Sequence, residues 1–341
     1  MIRLAGITTA LSLAVLVAAA PAALGSGPRF AVYGDMPYSD DDQSFLSGPA
    51  SQKLAQDPSI AFVISVGDLG RPETACNDQW QLGQRALWRD SFRRPVFLTP
   101  GDNDWTDCDR KSVPNVGSEL ARLDALRRIH FAAPPEFVRW EWGYRMQPGQ
   151  PENGTWVVDG VRFVTIHAVG TMNGREDINQ DDRSLALALA DARDEANRLW
   201  LLRNFAAARD AGEKAVVIAM QVDPFDPQYV DKGTVVPADP LQRCLASAAL
   251  APTCRALAAE IQGFRGPVLL VHGDSSPACL EPIPVSGGEQ RFWRLNAWGD
   301  FSKPSDMAIV DIDLTSRDTP FRVSGLVEGH QMPTTCDYRA R

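Results

Sequence analysis

The sequence predicts an α/β protein with an open sheet, and three features of the chain carry that expectation. Short apolar runs at 29–33, 60–66 and 95–99 are rich in β-branched or aromatic residues and bounded by turns, so each reads as a buried strand. Polar residues interleave with Leu and Trp between them, as at 79–93, which suits helical crossovers and makes the N-terminal part βαβαβ. Further on, apolar runs and helical patterns alternate again, until 292–297, 308–314 and 321–326 alternate apolar with polar residues as antiparallel strands closing a sheet would.

Ser118 is an N-cap for a helix reaching about Phe131, with Leu120, Leu123, Leu126 and Ile129 at helical spacing. Strands at 155–158 and 161–167 flank Asp159-Gly160, a dipeptide that supplies the positive φ of a tight hairpin turn. A long amphipathic helix over 184–211 stops at Gly212, and a buried strand follows at 214–220. Residues 241–262 are expected to be helical with an interruption around Pro252, before another strand at 267–271. Neither an internal repeat nor a low-complexity linker divides the chain, so 26–341 is expected to form one domain.

Residues 1–25 read as an export leader: Arg3 is their only charge, the run from Ile7 to Ala20 is almost wholly apolar, and small residues follow, placing a cut between Ala22 and Gly25. The run is shorter than the roughly 20 residues that span a bilayer. The mature protein is therefore expected in the periplasm or outside the cell, without a membrane anchor. Six cysteines, an even set on an exported chain, argue for disulfides. Cys244 and Cys254 bracket one short loop and are expected to pair, leaving Cys76 with Cys108 and Cys279 with Cys336 by elimination. With 43 acidic against 34 basic residues the net charge is -9, which excludes binding of a nucleic-acid backbone by bulk charge.

Four Gly-Asp dipeptides directly follow predicted strands: Gly34-Asp35, Gly67-Asp68, Gly101-Asp102 and Gly273-Asp274. Taken singly, Gly-Asp is an ordinary turn dipeptide. In an open α/β sheet, however, the carboxyl ends of the strands border the ligand crevice, so aspartates from several strands can converge there. The first three are 33 and 34 residues apart, one strand plus one crossover, as adjacent parallel strands require. Carboxylates gathered in one cleft repel each other unless a cation neutralises them.

These motifs resemble those of the calcineurin-like metallophosphoesterases, which have Asp-x-His after the first strand, Gly-Asp after the second, Gly-Asn-His-Asp/Glu after the third, then a lone His and a Gly-His-x-His. This chain has Gly34-Asp35-Met36-Pro37-Tyr38, Gly67-Asp68, Gly101-Asp102-Asn103-Asp104-Trp105, Met220-Gln221-Val222-Asp223-Pro224 and His272-Gly273-Asp274-Ser275-Ser276 in the same order. Residues 101–108 are similar to the Gly-Asp-Asn-Glu-Trp-Thr-Asp-Cys of a secreted branch, with Asp104 for Glu. The resemblance implies a sandwich of two mixed β-sheets flanked by helices, and hydrolysis of phosphate mono- or diesters at a divalent metal.

The chain departs from the pattern at its histidines. Pro37 stands where the first metal-binding His is expected, Asp102 and Asn103 replace Asn and the acid His, Gln221 lies near the lone His, and Asp274 and Ser276 replace the last two. Only four histidines exist. Asp35, Asp68, Asp102, Gln221 and Asp274 remain as candidate ligands, all hard oxygen donors, which favours Mn or Mg over Zn. On this reading Asn103 orients the phosphate of a small phosphorylated substrate and Asp104 or His272 protonates the leaving oxygen. His167 ends a strand and faces the cleft, and Asn173 and Arg175, in a loop similar to the branch's Val-Gly-Ser-Asn-Asn-Gly, contact the substrate anion.

Other chemistries are excluded by their motifs. An EF-hand starting at Asp102 fails at Asp107, where Gly is needed, and at Val113, where Glu is needed. Gly-x-Ser-x-Gly, Walker A and His-Glu-x-x-His are all absent. The alternative function is a non-catalytic exported binding protein that kept the fold and lost the histidines.

Overall fold

The computed structural model describes residues 26–114, 116–285, 289–299, 301–327 and 330–336; the expected leader over 1–25 lies outside them. Twelve strands form among these residues: β1 Ser26–Tyr33, β2 Ile60–Ser65, β3 Val96–Leu98, β4 Arg145–Gln147, β5 Gln150–Val158, β6 Val161–Thr165, β7 Ala215–Ala219, β8 Val268–His272, β9 Cys279–Pro282, β10 Phe292–Asn296, β11 Ala308–Asp313 and β12 Phe321–Gly325. They build two mixed sheets, one ordered β12-β11-β1-β2-β3 and the other β4-β5-β6-β7-β8-β10-β9. In the first, β1, β2 and β3 are parallel, as the spacing of their aspartates required. In the second, β6, β7, β8 and β10 are parallel.

The sheets pack face to face. Phe30, Phe62 and Phe97 of the first meet Trp156, Phe163, Val217 and Leu269 of the second, with Phe97 stacked on Trp156 at 3.6 Å between ring centroids. Helices cover both outer faces. Trp200, Leu201 and Phe205 of helix Arg183–Ala211, with Leu257 and Ile261 of helix Ala251–Gly263, seal the second sheet. Leu46, Leu54, Trp88, Leu123 and Leu126 seal the first. The parallel strands are thus buried on both sides, which is why they read as continuous apolar runs.

Local chemistry sets the boundaries as expected. The Ser118 hydroxyl caps helix Glu119–His130 through Ala121 N–H at 3.0 Å. Asp159 and Gly160 both take positive φ, 49° and 76°, in the β5–β6 hairpin. Gly212, at φ 65°, ends the long helix. Two expectations need correction. Pro252 does not interrupt a helix but opens one, since its missing N–H costs nothing in a first turn; the break precedes it, between helices Pro240–Leu245 and Ala251–Gly263. The C-terminal strands do not close one sheet: β10 is parallel to β8 in the second, while β11 and β12 extend the first.

All three expected disulfides form, Cys76–Cys108, Cys244–Cys254 and Cys279–Cys336, with Cα separations of 5.5, 5.7 and 5.3 Å. Three disulfides suit an oxidising compartment. No helix among the described residues is long and apolar enough to cross a membrane.

Candidate active-site cleft

The carboxyl ends of β1, β2, β3 and β8 carry the four aspartates to the same edge of the sandwich. Asp35, Asp68 and Asp274 leave their strands with positive φ, 49°, 52° and 64°. Aspartate tolerates this conformation better than most residues, yet holding it costs stability, and such strain gathers at functional sites. The preceding glycines have a purpose beyond the turn. A Cβ on Gly101 would lie 1.9 Å from Asp68 Oδ1, and one on Gly273 would lie 2.3 Å from Asp35 Oδ2. Each glycine therefore makes room for the carboxylate of another strand.

Hydrogen bonds link the group. The Asp274 N–H donates to both oxygens of Asp35, at 3.1 and 3.0 Å. The Asn103 N–H lies 3.1 Å from Asp68 Oδ1 and 3.2 Å from Asp102 Oδ1, so two carboxylates meet at one donor. Asp102 also accepts from Gln221 Nε2 at 3.1 Å and from the Thr171 hydroxyl at 2.8 Å. Burial, and then the charges of Asp102 and Asp35, push the Asp68 carboxyl well above the usual range. Beyond these carboxylates opens a cleft of about 540 Å³, whose wall includes Asp68, Asp102, Asn103 and Asp274.

Residues that sequence reasoning missed complete the cleft. The Tyr38 hydroxyl donates to Asp68 Oδ2 at 2.7 Å and accepts from Asn103 Nδ2 at 2.6 Å. The Tyr229 hydroxyl donates to Asp274. Burial and the neighbouring carboxylates raise both phenols well above their ordinary pKa, so both stay protonated donors. Arg71 places its guanidinium over the Tyr38 ring, 4.8 Å from the centroid. Asp107 lies 2.8 Å from the Thr171 hydroxyl, whose single hydrogen it shares with Asp102, and pairs with Arg110 at 2.6 Å; burial, then Asp102, raise its pKa to about 7. Tyr38 lies in the first motif, one residue beyond the Pro37 at which a histidine was sought. Tyr229 has no sequence signal.

Six candidates stand elsewhere or act differently. Asp104 is fully buried, and its two oxygens take four donors: Asp68 N and Gly101 N on Oδ2, Leu69 N and Gln81 Nε2 on Oδ1, at 2.9–3.2 Å. It clips two strand-end turns together and has no face on the cleft. Gln221 fastens its Oε1 to Gly170 N at 2.7 Å and turns its NH₂ to Asp102, so it orients that carboxylate where a metal ligand was expected. His272 lies in the core 3.8 Å from Asp223, with burial lowering its pKa. His167 is enclosed beside Glu152 and Trp105, also held neutral by burial. Asn173 bonds Asp194 at 2.7 Å, and Arg175 pairs with Asp194 and Asp191 at 2.6 and 2.9 Å. Those two residues tie a loop to the long helix.

Among the described residues no three His, Cys, Asp or Glu side chains converge as ligands of one ion. That does not fit a binuclear, histidine-rich centre. The meeting of Asp68 Oδ1 and Asp102 Oδ1 at one N–H does fit an ion of the Mg²⁺ type, which is commonly held by one or two carboxylates and completed by water and substrate phosphate.

No family model matches the chain, and no curated protein matches it. Solved structures do, among them a structure of PhoD, which aligns with 93% of this chain and 75% of its own at a TM-score of 0.52 and 11% identity. At that identity the likeness concerns the fold alone, a sandwich of two mixed sheets flanked by helices.

Proposed function

We propose that the chain is an exported, metal-dependent phosphoesterase of the calcineurin-like kind, acting on a small phosphate mono- or diester in the aspartate cleft. The observation that carries this reading is the carboxylate group itself. Asp68 is buried against Asp102 and Asp35, and its charge is costly there unless a cation or a proton offsets it. Asp68 and Asp102 would hold a hard divalent ion, Mg²⁺ or Mn²⁺ rather than Zn²⁺, which when bound would offset the charge of a phosphoryl group.

The chain's own residues supply the rest. Tyr38 holds a proton against Asp68 and fixes its rotamer. Asn103 spends its NH₂ on the Tyr38 hydroxyl and the Gly70 carbonyl, so it braces Tyr38 on the cleft wall and has no side-chain N–H left for the phosphate it was expected to orient. Arg71 and Arg110 place positive charge on the wall for the substrate's oxygens. Neither acid expected for the leaving group borders the cleft, since Asp104 and His272 are enclosed. With neither expected acid at the cleft, esters whose leaving oxygen departs without a proton, such as aryl phosphates, are the first substrates to test.

A second reading, a non-catalytic binding protein, draws on one observation: all four carboxylates already accept from protein donors, two of them from tyrosine hydroxyls. Elemental analysis, calorimetric titration of apo protein with Mg²⁺, Mn²⁺ and Zn²⁺, and turnover of aryl and alkyl phosphates decide between them. The hydrolase reading expects Mn²⁺ or Mg²⁺ to bind and support aryl phosphate cleavage, both lost in Asp68→Asn. No binding below millimolar concentration, or an Asp68→Asn variant binding like the parent, leaves the binding-protein reading.

A further inference from the structure

We propose that a second cavity, on the far side of the 103–105 loop from the aspartate cleft, binds a small monocarboxylate with an apolar body. It has a volume of about 520 Å³ and lies between helix Glu119–His130, helix Arg183–Ala211 and the β4–β5 turn. The inference does not rest on the phosphoesterase reading.

Part of the cavity wall is both polar and buried. Trp105, Glu119 and Arg193 are only 2%, 1% and 7% exposed, and on each one buried polar atom lacks a hydrogen-bond partner: Trp105 Nε1, Glu119 Oε1 and Arg193 Nε. Immediately behind Trp105, both ring nitrogens of His167 and Oε2 of Glu152 are also unpartnered. Buried polar atoms in folded proteins nearly always find partners, and an unmade hydrogen bond there is costly. Three such atoms lie on residues of this one wall, and the two that are N–H donors, Trp105 Nε1 and Arg193 Nε, point to an occupant that accepts from them.

The charge and shape of the wall select that occupant. Trp105 Nε1 and Arg193 Nε are donors, and the Arg193 guanidinium, stacked over the Trp105 ring at 5.1 Å, keeps its charge, its pKa lowered by burial only to about 10. Arg127, on the same wall, pairs with Glu152 at 2.5 Å. Glu119, raised by burial and by Asp109 to about 9, is neutral at pH 7. Asp124, also on this wall, lies 3.8 Å from Arg127, so Arg127 is offset and the Arg193 guanidinium with the Trp105 N–H is left to match an anionic oxygen pair. Leu123, the exposed Leu189 and the alanines of the long helix line the rest of the space, so the remainder of the ligand is apolar.

The test is calorimetric titration of the mature, disulfide-bonded protein with benzoate and octanoate, against benzamide and octanol as neutral counterparts. The carboxylates should bind, the neutral probes about tenfold more weakly or worse, because a hydrogen bond from a charged donor is worth about a factor of ten or more. Arg193→Gln should weaken carboxylate binding by at least about tenfold on the same ground. Leu189→Trp, at an exposed position on the wall, should block binding without lowering Tm, and it keeps the test open if Arg193→Gln fails to fold. Asp68→Asn should leave binding unchanged. The proposal is overturned if no probe binds at millimolar concentration, as when ordered water alone fills the space, or if neutral probes bind equally well. Binding that survives Leu189→Trp, or that is lost in Asp68→Asn, places the ligand elsewhere and overturns it too.

Discussion

Removing the Asp104 carboxylate should damage the fold of the cleft and not the proton inventory of the reaction. Its oxygens each accept two hydrogen bonds, three of the four from backbone N–H groups of Asp68, Leu69 and Gly101 that have no access to water. In Asp104→Asn, either orientation of the amide turns an NH₂ toward two of these donors. At roughly 1–3 kcal/mol for each buried donor left unmade, the variant should lose about 3 kcal/mol, and Asp104→Ala, which strands all four, about 5 kcal/mol. One kcal/mol shifts Tm by roughly 2–4 °C in a domain of this order of size, so Asp104→Asn should melt about 6–12 °C below the parent. Circular dichroism melts with disulfides intact read this directly, beside aryl phosphate turnover well below the Tm. A variant that melts within about 2 °C of the parent yet has lost turnover would refute the clip and return Asp104 to the role of catalytic acid.

Three further outcomes follow from the geometry. Glu119 has a folded pKa of about 9, so the folded state keeps a proton that the unfolded chain releases near the ordinary carboxyl value. Its contribution to stability is full below that value and is lost as pH rises toward 9; the Tm difference between Glu119→Gln and the parent should therefore grow in the variant's favour from pH 5 to pH 9, and a flat difference counts against a protonated Glu119. Gly101→Ala forces a Cβ onto Asp68 and should abolish Mn²⁺ or Mg²⁺ binding, whereas Gly83→Ala, with nothing within 4 Å, should leave it intact and raise Tm slightly, both read by calorimetry and melting. Tyr229→Phe removes a donor from Asp274 and should cost about 1–3 kcal/mol in chemical denaturation, while Tyr229→Trp should fail to restore it.

The fold was legible because its strands are buried on both faces and therefore write themselves as apolar runs, and because caps such as Ser118 and Gly212 mark helix ends by local chemistry alone. What escaped was pairing. Nothing in 292–297 distinguishes a strand that joins β8 in parallel from one that lies antiparallel beside β11, since both fates demand the same apolar run; only the length of chain after β8, with the β9 excursion, decides it. Short β4 and β9 carry too few residues for a period to show.

The site divides along the same physical line. The four aspartates were found because a strand end is a topological position, and topology is what recurrent Gly-Asp at one-crossover spacing encodes. Which way a strand-end side chain turns is a matter of a single residue, since a shift of one along a strand reverses its face. His272 and Asp274 are two apart and would share a face in an extended chain, but the positive φ of Asp274 breaks the alternation: the carboxylate reaches the cleft wall while the imidazole stays in the core with Asp223. His167, at the end of the extended run after β6, is likewise turned inward, fully buried beside Trp105 and Glu152. Position along the chain brings the four aspartates to one edge of the sandwich, while rotation about it decides which side chains border the cleft, as Asp68, Asp102 and Asp274 do and His272 does not. The tyrosines show the converse. A search guided by histidines passes over Tyr38, yet a hydroxyl that both donates to Asp68 and accepts from Asn103 does in this chain what a ligand at that place would do: it fixes the carboxylate and joins the first strand end to the third.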